Sequence, residues 1–339
     1  MNTFGTFFRL TTFGESHGPA MGAVVDGCPA GVSLDEAQVQ LALDRRRPGQ
    51  SELVSSRREA DRVEILSGVF EGKTLGTPIA AIVRNVDQRP QDYEELRLED
   101  RPGHADAVWR ERFQHRDHRG GGRSSGRETL SRVIGGAIAD ALLAREIPDL
   151  RVVAWVEQVG GLVGEAPPTL TRVEVDEHPT RCPDRMVAPQ MAEAITAAKK
   201  AGDSLGGVVA LRLQGVPIGL GEPVFGKLKS RLADAIGGIG TVTGILWGPR
   251  RVGDLIAEPG SRFHTSSTSY GGIQGGMANG ESIELRVLCK PPSTLGERAK
   301  AGRHDPCILP RVVPVVEAMA SLVVADLWLS FLGHPHRGR

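Results

Sequence analysis

The densest chemistry in the sequence lies in eleven residues, RGGGRSSGRET, from Arg119 to Thr129. Three consecutive glycines let backbone N–H groups converge, two serines add hydroxyl donors, and the chain then enters a helix whose first turn carries partial positive charge. Arg119, Arg123 and Arg127 add full charges. The combination suits a phosphate on a nucleotide or cofactor; the plain alternative is a surface loop that merely begins a helix. Two familiar phosphate signatures are absent. GVFEGKT (Gly68 to Thr74) has three residues between its glycines where a P-loop needs four, and it reads as a hairpin turn. No strand-linked GxGxxG supports a dinucleotide site of Rossmann type, which also argues against a generic NADPH:flavin oxidoreductase.

Proton-transfer candidates stand in other loops. His17 follows a strand in GESHG, and His104 sits in RPGHAD, each with glycine against the histidine. Histidine is the side chain that most readily exchanges protons near neutral pH. GRHDPC (Gly302 to Cys307) places Arg303 and Asp305 just before a long apolar helix, and a carboxylate kept ionised by neighbouring arginine can act as a base. His115 and His118 lack the further ligands a metal site needs and read as the polar approach to the glycine loop.

Composition sets the frame for these loops. The 339 residues carry 41 basic and 41 acidic side chains, so no global field draws nucleic acid or an anionic membrane, and any anion site is local. Only seven of the basic residues are lysine, and arginine's planar fork pairs bidentately with carboxylate and phosphate. Cys28, Cys182, Cys289 and Cys307 are scattered without metal or redox spacing, and nothing resembles a secretory leader, which fits a reducing cytoplasm. Val312 to Leu332 is apolar enough to suggest a membrane span, but Glu317, Asp326 and Pro314 favour a buried core or subunit-interface helix.

The elements that must position these loops follow from periodicity. Phe4 to Thr12 and Ala20 to Val25 read as strands, then a helix opens on a Ser33/Glu36 capping box and stops at Pro48 after Arg45, Arg46 and Arg47. Val63 to Leu66 and Pro78 to Arg84 form a small antiparallel meander. A Ser125/Glu128 capping box opens a helix with Leu130, Val133, Ile134, Ala137, Ile138, Ala141 and Leu142 on one face, where Gly135, Gly136 and Ala139 admit a close neighbour. Strand Val152 to Val159, helix Gln190 to Ala201 and strand Val208 to Leu213 alternate after it. DGCPAGVSL before the first helix is then echoed by QGVPIGLGE before a helix Phe225 to Ile236, and SGVFEGKTLGTPIAAIVRN by GGIQGGMANGESIELRVLCKP. The echo predicts two related halves around one core.

Nine segments in this order, FRLTTFGESHG, LDRRRPGQ, VEILSGVFEGKTLGTPI, RPGHAD, RGGGRSSGRET, GDSLGG, GVPIGLGEPVF, GGIQGG and GRHDPC, resemble the chorismate synthase family, and they span the chain from its first residues to about Asp326. The resemblance implies a single domain over residues 1–339 of α/β (α+β) class: a layered β-α-β sandwich with mostly antiparallel sheets and helices packed between, assembled as a homotetramer. It implies the anti-1,4-elimination of phosphate from 5-enolpyruvylshikimate-3-phosphate, a small anionic substrate, with reduced FMN required and no net redox change. By the same resemblance His17 would protonate the reduced flavin, His104 would assist the leaving phosphate, and Asp305 would help take the proton through flavin N5. FMN would be met by Arg123, Ser124, Ser125, Gly275, Lys290, Pro291, Pro292, Ser293, Thr294 and Arg303, and substrate or NADPH by Arg46, Ser16 and Arg127. Glu52 stands where many members have an arginine thought to meet NADPH, which points to an external flavin reductase as the source of electrons. The stretch Thr241 to Tyr270 departs most from the family pattern.

Overall fold

The computed structural model describes residues 1–54, 59–85, 100–248, 271–296 and 305–333. The chain opens with β1 (Thr3–Phe4) and β2 (Arg9–Phe13), a tight hairpin where alternation alone predicts one continuous strand. Next come β3 (Ala20–Asp26) and α1 (Glu36–Arg46). The cap of α1 is Asp35, which accepts from Gln38 N–H at 2.8 Å while Gln38 Oε1 returns to Asp35 N–H at 3.0 Å. Ser33 is drawn away from that role by a β-bridge to Lys73. β4 (Val63–Ile65), β5 (Val69–Phe70), β6 (Lys73–Thr74) and β7 (Ile79–Arg84) follow, with β5 and β6 forming the hairpin expected of GVFEGKT.

After α2 (Asp106–Phe113), which periodicity does not reveal, two 3₁₀ turns at Gly122–Ser124 and Gly126–Glu128 lead into α3 (Thr129–Glu146). The Ser125/Glu128 capping box does not form. Ser125 Oγ accepts from Arg127 N–H, two residues on, because the first turn is 3₁₀, and the Glu128 carboxylate turns elsewhere. The second half contains β8 (Arg151–Val159), β9 (Leu162–Val163), α4 (Arg172–Asp176), α5 (Ala188–Ala201), β10 (Gly207–Gln214), α6 (Leu228–Gly237), β11 (Val242–Trp247), β12 (Ile273–Gln274), β13 (Met277–Ala278), β14 (Ile283–Cys289) and α7 (Leu309–Leu332). Helix α6 begins three residues later than its pattern suggests, leaving Phe225 in an exposed turn.

The duplication read from the echoing segments is present in the hydrogen bonding. One sheet runs β1-β2-β3-β7-β4 and the other β11-β14-β10-β8-β9, so β2-β3-β7-β4 and β8-β10-β14-β11 share one order, all antiparallel. Away from two bulges in the second sheet, near Val208 and Val242, register agrees. Val25 pairs with Ile79 as Leu213 pairs with Ile283, and Arg9 with Asp26 as Arg151 with Gln214. Gly31 N–H bonds Thr74 O at 2.8 Å, and Gly219 N–H bonds Ala278 O at the same distance.

The two sheets cover opposite faces of a helical layer: α3 packs on β3, α7 on β8 and β10, and α3 crosses α7 between them. Gly136 makes that crossing possible, since a Cβ there would lie 2.3 Å from Ala318 Cβ. Helix α7 is long and apolar enough to cross a membrane, yet it is almost wholly buried as the core helix that Glu317 and Asp326 suggested. Glu317 accepts from Ala154 N–H at 3.0 Å and pairs with Arg45 and Arg172. Asp326 Oδ1 gathers the N–H groups of Thr6, Phe7 and Phe8 at 2.8, 2.6 and 3.0 Å, and Oδ2 accepts from Arg231 at 3.0 Å. Three backbone donors and a guanidinium thus depend on one buried carboxylate. Asp326→Ala is expected to destabilise the fold by about 3–5 kcal/mol, measured by urea unfolding, because it strands a partly buried cation and orphans those donors.

Candidate active site

A cavity of ≈ 390 Å³ opens where the two halves meet. The first half contributes His17 from the β2–β3 loop, Arg46 from the end of α1, and the β7–α3 connection from Arg101 to Thr129. From the second half come Gly238 to Thr241 after α6, Lys290 to Thr294 after β14, and Asp305 with the start of α7. The β7–α3 and β14–α7 connections are equivalents in the duplication, so both core helices begin at the same cavity. Seven arginines and lysines line it against three carboxylates, Glu59, Glu128 and Asp305. In a chain of zero formal charge this is a strong local excess, suited to a polyanion. A Cβ at Gly126 or Gly240 would meet no atom within 4 Å, so both backbones stand open to the cavity.

The three expected proton carriers converge here. His17 is buried, with Nδ1 3.0 Å from Ser16 Oγ, and Gly120 lies so close that a Cβ would sit 2.4 Å from that nitrogen. Ser16 touches the histidine without lining the cavity. His104 is exposed at the mouth, its Nε2 3.4 Å from Thr294 Oγ1, which joins the two equivalent connections. Asp305 Oδ2 accepts from Arg311 Nη1 at 2.5 Å.

The expected anion-binding residues divide. Ser124 and Ser125 are at the wall, with Ser124 Oγ accepting from Trp109 Nε1 at 2.6 Å. Lys290, Pro291, Pro292, Ser293 and Thr294 form the facing wall, and Lys290 Nζ donates to Ser293 Oγ at 3.1 Å. Arg123 lines the cavity while its guanidinium donates to the carbonyls of Gly14 and Thr12 at 3.2 and 3.1 Å, bracing the His17 loop. Gly275 does not join them: it is the left-handed turn residue of the β12–β13 hairpin and is not among the lining residues. Arg303 lies outside the described residues, as does 249–270 within the divergent stretch. Arg46 and Arg127 both line the cavity and both meet Asp61 at 2.8 Å. Burial, followed by repulsion from Arg311, lowers Arg46 to about 10, and burial pushes the Asp61 carboxyl up against the pull of Arg46 and Arg311. Among the described residues no three His, Cys, Asp or Glu side chains form a metal cluster, His115 and His118 included.

Sequence reasoning missed several members. Arg101 donates to Asp106 and to Gly120 O, tying the His104 turn to the wall behind His17. Arg132 bridges Glu128 (2.8 Å) in the first half to Gly238 O (2.8 Å) in the second. Glu59, Asp61 and Arg311 were also unmarked. Arg132 was legible in part, four residues after Glu128 on one helical face; the long-range partners had no local signal.

A duplicated pair of antiparallel sheets around a helical layer, with an arginine-rich cavity and two histidines at the junction, has the make-up of an enzyme. The family model described as chorismate synthase matches residues 8–329. The chain is 46% identical to the chorismate synthase of Cytophaga hutchinsonii, over 97% of each chain, and 48% identical to that of Synechococcus elongatus, over 96% of each. A crystal structure of chorismate synthase superposes with a TM-score of 0.75 at 29% identity, covering 97% of this chain and 94% of that one. The chain belongs to the chorismate synthase family, lyases of the shikimate pathway.

Asp106 couples this site to pH. Burial raises its carboxyl, but hydrogen bonds from the Arg101 side chain and backbone, with attraction to Arg101 and Arg116, outweigh that and hold it below the ordinary 3.8. A depressed carboxylate contributes stability that is full above the unfolded value and lost as pH falls through the folded one. Amide exchange in residues 101–113, corrected for intrinsic rates, is therefore expected to rise as pH falls below about 4. In Asp106→Asn that acid-dependent rise disappears and the segment is less protected at neutral pH.

Proposed function

We propose that the chain eliminates phosphate from 5-enolpyruvylshikimate-3-phosphate in the anti-1,4 sense to give chorismate, with reduced FMN held in the same cavity and no net redox change. The observation that carries this reading is the convergence of His17, His104 and Asp305 on one cavity with a net excess of cationic side chains. A substrate with two carboxylates and a phosphate calls for that excess, and a leaving phosphate calls for a proton donor.

The residues present fit a flavin nucleotide. The open backbones of Gly126 and Gly240 leave room for a flat ring, while Ser124, Ser125, Lys290, Ser293 and Thr294 supply donors for its phosphate and carbonyl groups. Bound there, reduced FMN would supply electron density as the C–O bond to phosphate breaks. His104 protonates the departing phosphate at the mouth, where a leaving anion reaches water, and Thr294 Oγ1 at Nε2 positions the ring. His17 acts from the buried end, its tautomer and orientation set by Ser16 Oγ at Nδ1 and by the packing of Gly120. Asp305 takes up the proton released in the elimination, its carboxylate aimed by Arg311.

The protein works in a reducing cytoplasm, in keeping with four buried thiols and no disulfide. It assembles as a homotetramer, to which exposed apolar side chains such as Phe70, Ile218 and Phe225 offer surface. Its electrons come from an external flavin reductase: Glu52 is exposed, beside Lys199, whose Nζ donates to the Glu52 carbonyl at 2.8 Å, so the place expected of an NADPH-binding arginine is acidic.

Anaerobic mixing of the protein with chemically reduced FMN and 5-enolpyruvylshikimate-3-phosphate is expected to give equal amounts of chorismate and phosphate; a folded, flavin-binding sample that gives neither refutes the reading. His104→Ala is expected to slow turnover by roughly 10²–10⁴. NADPH with oxidised FMN and no added reductase is expected to give no chorismate, and its formation under those conditions would show that the chain reduces its own flavin.

A further inference from the structure

Two of the cavity arginines, Arg46 and Arg127, come from different elements, the C-terminal turn of α1 and the 3₁₀ turn before α3, yet one carboxylate holds both. Asp61 Oδ2 accepts from Arg46 Nη1 at 2.8 Å, and Asp61 Oδ1 lies 2.8 Å from Arg127 Nη1. Its side chain is fully buried and is not among the residues that line the cavity. The backbone is committed to this placement, with Asp61 at φ +42°, a left-handed conformation that a short polar side chain tolerates better than most. The rest of each guanidinium is tied to the same frame. Arg46 donates to Thr129 Oγ1 at 3.2 Å and to Gly126 O at 3.0 Å, and Arg127 Nε donates to Asn85 Oδ1 at 2.8 Å. Glu59 also meets Arg127, but unlike Asp61 it lines the cavity.

We infer that Asp61 is a positioning residue that fixes the spacing of Arg46 and Arg127 for the anionic substrate, while Glu59 is the exchangeable partner that an arriving carboxylate or phosphate displaces from Arg127. Both acids are buried, but only Glu59 borders the cavity, and that border decides which one an entering ligand can replace. A carboxylate on the cavity wall competes with substrate for the same guanidinium, whereas one behind the arginines keeps two mutually repelling cations together without touching the ligand.

The inference rests on the proposed elimination, and wild-type turnover in the same assay separates the two: no wild-type turnover refutes the function, and normal wild-type turnover with unaltered variants refutes the positioning role of Asp61. Steady-state kinetics with saturating reduced FMN are to be measured for Asp61→Asn and Glu59→Gln, with flavin affinity and thermal unfolding alongside. Asp61→Asn is expected to raise KM by about tenfold or more while kcat stays within about threefold, the mark of lost substrate binding, with flavin affinity retained. Glu59→Gln is expected to lower KM by about threefold or more, and an unchanged KM overturns its role as the displaced partner. A rise in KM of similar size in both variants, or a fall in kcat with KM unchanged in Asp61→Asn, overturns the assignment. Should Asp61→Asn not fold, Asp61→Glu, which keeps the charge but extends it by one methylene, is read by the same split: a raised KM with kcat retained supports the role, and wild-type KM overturns it.

Discussion

The crossing of α3 and α7 at Gly136 and Ala318 is the constraint on which the molecule depends. Each helix belongs to one copy of a duplicated unit, and each has a sheet on its outer side, so its other face must be covered by the partner helix. A residue without a side chain at the crossing lets the two backbones approach and seals the apolar layer between the sheets. The same crossing sets where the chemistry happens. Equivalent connections lead into the two helices, and because the helices meet, those connections meet as well. His104 on one and Thr294 on the other are within 3.4 Å. The cavity is therefore a product of the duplication, furnished differently by its two sides: the first supplies both histidines and most of the arginines, the second supplies Lys290, Asp305 and Arg311.

So much positive charge cannot be gathered beside an apolar core without compensation, since a buried, unpaired cation is costly. The structure meets this by placing carboxylates behind or between the guanidiniums. Asp106 holds Arg101 and Arg116, Glu128 holds Arg132, and Asp61 holds Arg46 and Arg127. The Asp61 pairings also join separate segments, the end of α1 and the turn before α3, so at that point the electrostatics of the site and its rigidity are the same contacts. Arg123 is the variation on this theme, adding the backbone carbonyls of Thr12 and Gly14, at the end of β2 and the start of the His17 loop, to a longer contact with Glu128.

Much of the fold was legible because it repeats. The glycine and proline pattern of DGCPAGVSL and QGVPIGLGE marks left-handed turns that hydrogen bonding requires at equivalent places, and the strands between them keep their apolar alternation. Capping at Ser33 and Ser125 departs from the local preference because a β-bridge in one case and a 3₁₀ turn in the other outweighs it. In the site, His17, His104 and Asp305 stood out as reactive side chains in loops beside glycine or arginine. Asp61, Glu59 and Arg311 did not, since a carboxylate or guanidinium acquires its role from a partner that only the folded chain supplies. Gly275 shows the converse: the residue is plain in the sequence, and the fold places it in a hairpin turn away from the cavity wall.

The carboxylate of Asp326 ties the closing turns of the final helix to the first hairpin of the chain, across 318 to 320 residues. That bond sets an order of events in the cell. Thr6, Phe7 and Phe8 leave the ribosome long before Asp326 is made, by roughly 15–65 s at ordinary elongation rates of about 5–20 residues per second. Through that interval Phe8, fully buried in the finished fold, stays exposed, and the N–H groups of the turn bond to water in place of the carboxylate. Any shortened transcript or premature stop upstream of Asp326 releases a chain whose first residues have nothing to close on.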